Sequence, residues 1–321
     1  MAEGRFATIR ARQLADSAAE LLDTDRDQAT ACYQQAVRLD PSLEAAWFDL
    51  GLLHKAAGRW QQAFECSLRA AELVGEEAGE PAWWNLGIAA TAVRRWDTAR
   101  RAWRAFGYDI PDGDGPIEMN FGAGLVRLNP NDKGEVVWGR RLDPARMRLT
   151  SIPFPTSGYH WADVVLHDGE PNGYRVHDGQ KWAVFDQVSR FESSGVPTVE
   201  ARLRVESTAD VDELLERLAQ AGYAAEDWTR SIRMVCRHHS EGVVRHQDDD
   251  PDLAAEPDHL VAIAGRLHEV RGVVEAWEDG AGRRCLDLYA DRDDEDYDDE
   301  DEDEDYDDKD EDEDEDYDDY D

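Results

Sequence analysis

In the stretch AAWFDLGLLHKAAGRWQQAF, residues 45 to 64, apolar side chains fall three and four positions apart and small residues sit between them, the periodicity of packed helices. The same spacing continues to residue 106, where Ala99, Trp103 and Phe106 are placed to share one buried face. At GYDIPDGDGPIEMNFG, 107 to 122, Pro and Gly break the helical period and predict a boundary. Short strand-like runs follow: LVRL, EVVWGRR, ARMRLTSI, ADVVLHDG, YRVHDG and KWAVFDQV, each bounded by turn residues such as NPNDKG and EPNG. They predict a small barrel or curled sheet over residues 115–195. Beyond SSGVP, TVEARLRV alternates apolar and charged positions. A helical pattern on Val211, Leu214 and Leu218, a second strand SIRMVC, then HLVAIAG, a helix through Val270, Val274 and Trp277, and RCLDLYA complete two β-α-β halves. That order, over residues 196–290, predicts a ferredoxin-like α/β sandwich.

The helical part repeats. Trp47, Leu50, Gly51, Gly58, Ala63 and Ala70 set a template, and 34 residues upstream Ala29, Tyr33, Ala36 and Pro41 fall on its second-helix positions, without the first-helix signature. Downstream, Trp83, Leu86, Gly87, Trp96, Ala99 and Trp103 fit the same template. Three copies in register resemble the tetratricopeptide repeat (TPR) family; the resemblance covers about residues 10–112, within a helical domain over residues 1–112. It implies an α-solenoid of three helix pairs. Gly51 and Ala63 are small where helices cross, Trp47, Leu50 and Tyr33 fill the space beside them, and Pro41 stops a helix.

In that family the first helix of each pair builds a concave groove. The corresponding positions here are Phe48, Leu52 and Lys55, then Trp84, Ile88 and Thr91. Members that clamp C-terminal carboxylates need Lys and Asn at such sites, and Phe48 and Leu52 do not fit that use. An apolar groove of this kind is either a partner site or is covered by the rest of the chain. RRWDTARRAWR, 94 to 104, sets Arg94, Arg95, Arg100, Arg101 and Arg104 around Trp96 and Trp103. These arginines form a solvated face or a docking surface for acid.

Charge sharpens the picture. The chain of 321 residues carries −38, and residues 291–321 hold 25 of its 73 acidic residues with Tyr297, Tyr306, Tyr317 and Tyr320 interspersed. Such a tail has no core formers and is expected to be disordered, an arm for basic partners or one that docks on its own chain. Nucleic acid and anionic membranes are disfavoured partners of so acidic a protein. No apolar run is long enough for a span, and four scattered cysteines show no paired spacing, so a cytoplasmic protein is expected.

Chemistry is sparse. The chain has no G-x-S-x-G, G-x-x-x-x-G-K or H-E-x-x-H. His167-Asp168-Gly169 and His177-Asp178-Gly179 are the compact acid–base candidates, although Gly after Asp at a strand end reads first as a turn. Cys236, His238, His239 and His246 could supply zinc ligands, but their spacing matches no common structural site, and an exposed loop is the plainer reading. No cofactor is expected. The pattern as a whole points to a non-enzymatic interaction protein. A ligand- or metal-responsive regulator built on the α/β region is the alternative, with a pocket between its halves as the distinguishing feature.

Overall fold

The computed structural model describes residues 2–75, 79–132, 134–177, 179–230, 258–280 and 282–290. The chain begins with six helices: α1 (Ala2–Leu21), α2 (Arg26–Leu39), α3 (Glu44–Ala56), α4 (Trp60–Val74), α5 (Pro81–Ala92) and α6 (Trp96–Phe106). They stack as consecutive pairs, with each helix against the next. The small residues explain how closely they approach. A Cβ on Gly51 would lie 3.0 Å from Ser67 Oγ, and one on Gly87 would lie 2.6 Å from the Trp103 ring. Tyr33, fully buried, donates its hydroxyl to Asp49 at 2.9 Å and ties α2 to α3. Asp25 caps α2 by accepting from the Gln28 amide. The turn after α3 uses Gly58 at φ 66°, and the equivalent turn after α5 places Arg94 at φ 58°.

The segment after α6 is part of the core. Ile110 and Ile117 are buried against α5 and α6 together with Trp83 and Trp103. Met119 then donates its amide to Leu142 O at 2.8 Å and leads the chain into the first sheet.

Five strands, β1 (Ala123–Leu128), β2 (Glu135–Arg141), β3 (Arg146–Leu149), β4 (Val164–His177) and β5 (Gln180–Glu192), form a meander that closes on itself. Successive strands are antiparallel, and closure comes from a parallel pairing of β1 with β5, Leu125 opposite Val184. Val126, Val137, Met147, Leu149, Val165 and Phe185 belong to its filled core. The β2–β3 turn is held by Asp143, whose carboxylate accepts from the Ala145 and Arg146 amides and from Arg146 Nε at 2.6 Å. Arg146 also donates to Ile117 O, which fastens the linker to the barrel.

Two strand expectations change here. EPNG, 170–173, is not a turn between separate strands: it lies inside the single long strand β4, where register shifts between His167 and Tyr174 absorb Pro171 and Gly173. His167-Asp168-Gly169 is likewise in-strand, whereas His177 ends β4 and Gly179 makes the hairpin turn at φ 74°.

The last unit comprises β6 (Thr198–Val205), α7 (Thr208–Gln220), β7 (Ala224–Asp227), β8 (Asp258–Ala264), α8 (Leu267–Glu278) and β9 (Arg283–Ala290). Its sheet runs β7-β8-β6-β9 with all neighbours antiparallel, and both helices pack on one face over Val199, Leu203, Ile263 and Trp277. The strand between the helices is Ala224–Asp227, earlier than the expected SIRMVC, which lies outside the described residues. The other face of the sheet is partly covered by the barrel: Ile152, Phe154 and Trp161 pack on Ala262, Ala264 and Trp228, and the Trp228 indole donates to Ile152 O at 3.2 Å.

Candidate functional site

The first helices of the second and third pairs, α3 and α5, carry the residues that the repeat pattern assigns to the groove. Phe48 and Leu52 on α3 are half-buried. Lys55, one turn further, turns away from solvent: its ammonium donates to Asn85 Oδ1 at 2.8 Å and to Asp168 Oδ2 at 2.9 Å. Asn85 is oriented for this by its own bond to Pro81 O. Burial works against the charge of Asp168, yet the adjacent Lys55 outweighs it and holds the carboxyl below its ordinary range.

Beside this pair, Trp84 packs among Trp103, Phe106 and Tyr108, with ring centroids 5.1, 4.8 and 6.2 Å away. Gly169 of β4 lies flat on the Trp84 indole, so closely that a Cβ there would come within 1.6 Å of the ring. Ile88 and Thr91 have no exposed surface at all. The third repeat's share of the expected groove is therefore internal. Trp84 and Lys55 contact the barrel, and Ile88 and Thr91 present nothing to an incoming partner. The physical reason is that β4 supplies a carboxylate for the lysine and a bare backbone for the indole.

The arginine-rich helix is likewise engaged within the chain. Arg100, nearly buried, donates to Pro111 O and Gly115 O, and Arg104 donates to Ile110 O and pairs with Asp112 at 2.7 Å. Arg94 lies 4.4 Å over the Phe191 ring of β5, and Arg101 lies over Trp83. Arg95 is exposed. Among the described residues, the acid paired with this helix is Asp112 of the linker. The acidic tail, residues 291–321, lies outside the described residues.

The acid–base candidates do not converge. His167 is fully buried at the barrel end against Phe185, its Nδ1 3.1 Å from Asp168 O and its Nε2 without a partner. Burial pulls its pKa down to about 4. His177 lies ten residues further along β4, roughly 30 Å of strand away, against Trp138. Asp178 lies outside the described residues, as do Cys236, His238, His239 and His246. Among the described residues no cluster of three or more His, Cys, Asp or Glu side chains is arranged to hold a metal ion. Burial pushes the Cys66 thiol up to about 12 and the Cys285 thiol up to about 11, so both stay protonated. No helix among the described residues is long and apolar enough to cross a membrane.

The Lys55–Asp168 pair joins residues 113 positions apart, and no pattern in the sequence announces it. Lysine is scarce in the chain, but scarcity does not name a partner. Gly169 was legible only as a turn residue, and its contact with Trp84 gives the glycine a different reason.

No family model and no curated protein matches the chain. Several solved structures are similar to part of it. The second TPR of Spaghetti, bound to an HSP90 peptide, is 14% identical over 33% of this chain and 96% of that one, with a TM-score of 0.30. The CopN–Scc3 complex is 18% identical over 30% and 56%, and MamA 19% over 31% and 57%, both with a TM-score of 0.27. This chain spans a little over half the length of these last two. The similarity to TPR proteins extends over about a third of the chain.

Proposed function

We propose that this chain is a non-catalytic protein–protein interaction scaffold whose six helices form a TPR module of three repeats. The observation that carries the reading is an asymmetry along the solenoid. In the third repeat Ile88 and Thr91 are buried and Trp84 packs on the barrel, while in the first two repeats apolar side chains keep part of their surface in solvent. Phe48 and Leu52 keep part of their surface exposed. On α1, Phe6 is 74% and Ile9 52% exposed, the two highest values among the large apolar side chains described. Apolar surface of this kind favours a partner segment with apolar anchors over an acidic C-terminal tail. Lys55 is neutralised by Asp168 and offers no charge for such a tail.

In the same reading residues 1–112 form the module, 115–195 a barrel domain that stiffens its C-terminal end, and 196–290 a ferredoxin-like domain. The acidic segment 291–321 favours basic partners. The body of the chain is itself at −15, which reinforces that preference.

The test is affinity capture from native lysate with full-length protein, a Phe48→Glu/Leu52→Glu variant and a Lys55→Met variant, each first shown by circular dichroism and a cooperative unfolding transition to be folded at the capture temperature. Capture lost only in the Phe48→Glu/Leu52→Glu bait is the expected result. Equal recovery on all three baits would remove the groove from the proposal.

A further inference from the structure

The outer face of the barrel carries a feature that the helical module does not explain. On β2 and β3, Arg140 and Arg148 stand directly opposite one another in the antiparallel register. Like charges in facing positions repel, and neither guanidinium has an ion-pair partner among the described residues. Three other barrel arginines are matched: Arg127 pairs with Asp186, Arg146 with Asp143 and Arg190 with Asp163. In a chain with 73 acidic and 35 basic residues, an uncompensated arginine pair on one strand row is a vacancy for acid. The row continues through Val164 to Glu192, on the far side of β4.

Two positions before Arg140 on the same strand face lies Trp138. It meets Trp182 edge-on at 4.9 Å and His177 at 5.5 Å. Both indoles are half-buried and keep part of their surface in solvent. They cover Leu125, Val136 and Val184, an apolar layer on the outside of the barrel. The surface thus combines aromatic rings with two guanidinium groups that have no ion-pair partner among the described residues.

We propose that the acidic C-terminal segment of this same chain, residues 291–321, docks on this outer barrel face, its carboxylates on Arg140 and Arg148 and its tyrosines on Trp138 and Trp182. The chemistry is complementary: the segment holds 25 acidic residues with tyrosines at 297, 306, 317 and 320. The origin of the segment is also close. Ala290 ends β9 opposite Val199, seven residues beyond Glu192, which faces Val164, which faces Arg148. Seven extended residues span at most about 25 Å, and the four cross-strand steps to Arg140 add about 20 Å. The segment itself reaches roughly 100 Å when extended. A polynucleotide is the less favoured occupant, since a chain of −38 repels phosphate. The arginine-rich helix α6 is the less favoured surface, because Arg100 and Arg104 already hold the linker.

The experiment places a benzophenone amino acid at Tyr306 in the full-length chain and maps light-induced cross-links by mass spectrometry. The expected cross-links fall within the monomer, on peptides of β2 and β5. Their yield drops about tenfold between roughly 50 mM and 500 mM salt, as screening shortens the reach of charge. The yield drops similarly in Arg140→Glu/Arg148→Glu and is retained in Arg140→Lys/Arg148→Lys. If the charge reversal unfolds the barrel, the lysine variant and the salt series decide. Cross-links on α6, cross-links only between copies, or a yield indifferent to salt and to both substitutions overturns the proposal. So does an intact Tyr306 pattern in the reversed variant that has lost binding of a labelled single-stranded oligonucleotide, which would assign the face to nucleic acid. The outcome is independent of whether partners bind Phe48 and Leu52.

Discussion

Gly169 and His167, two residues apart on β4, show how a single position can carry a whole junction. With Gly169 seated on the Trp84 indole, a Gly169→Ala chain must push the strand off the ring or tilt the indole. The expected cost is about 1–3 kcal/mol by chemical denaturation. Trp84→Leu in the same chain should recover part of it, a non-additive result that separate sites would not give. His167 gives stability a pH dependence. Its buried imidazole has a pKa of about 4 against an ordinary 6.5. Between these values the unfolded chain takes up a proton that the folded chain refuses. The contribution is fully present above about pH 6.5 and is lost as pH falls toward 4, at up to about 1.4 kcal/mol per pH unit. Urea midpoints measured across that range should fall for the wild type and flatten for His167→Gln. If the wild-type slope survives in the variant, another group is titrating. The sequence showed the histidine and the glycine but read them as a turn. Nothing local distinguishes a turn glycine from one that must make room for a tryptophan far away in the chain.

Helices and strands differed in how openly they declared themselves. The six N-terminal helices were legible because each carries its own period and its own small residues at the crossings. Gly51 and Gly87 occupy the same place in successive repeats, yet their surroundings predict different responses to substitution. A Cβ at position 87 runs into the Trp103 ring, a bulky group locked between helices, whereas one at position 51 meets chiefly the Ser67 hydroxyl. Gly87→Ala is expected to cost about 2 kcal/mol. Gly51→Ala should cost under about 1 kcal/mol, because the alanine recovers helix propensity and the hydroxyl can rotate. Equal losses in denaturation would show that both crossings are equally rigid. β4 was harder to read. Pro171 and Gly173 look like the end of a strand, but register shifts let β4 run through them to the hairpin at Gly179. A strand's continuity depends on its neighbours' hydrogen bonds, which a linear pattern does not contain.

Across the molecule, the barrel sits between the two other units and makes direct contacts with each. On one side Lys55, Asn85 and Asp168 join α3, α5 and β4. On the other, Ile152 and Trp228 join the barrel to the α/β sheet. Removing the lysine charge by Lys55→Met should loosen the first junction. The loss is expected to be about 1 kcal/mol, since the carboxylate of Asp168 is partly in water and screened. Amide exchange at 167–169 should accelerate, and Lys55→Met/Asp168→Asn should restore part of the stability. Unchanged exchange would mean that Trp84 alone holds the junction. The sequence by itself determined the helical repeats, the extreme acidity of the tail and the alternation of strands and helices near the C-terminus. These follow from local periodicity and composition, which act over a turn of helix or a few residues of strand. Only the tertiary structure decided which of the expected groove residues are engaged within the chain, because Asp168 and Gly169, which meet Lys55 and Trp84, lie 113 and 85 residues downstream of them. It also decided that Arg100 and Arg104 of α6 hold their own linker while Arg140 of β2 and Arg148 of β3 face each other with no ion-pair partner among the described residues. Such pairings depend on which surfaces the folded chain brings together, and charge pattern alone leaves that choice undetermined.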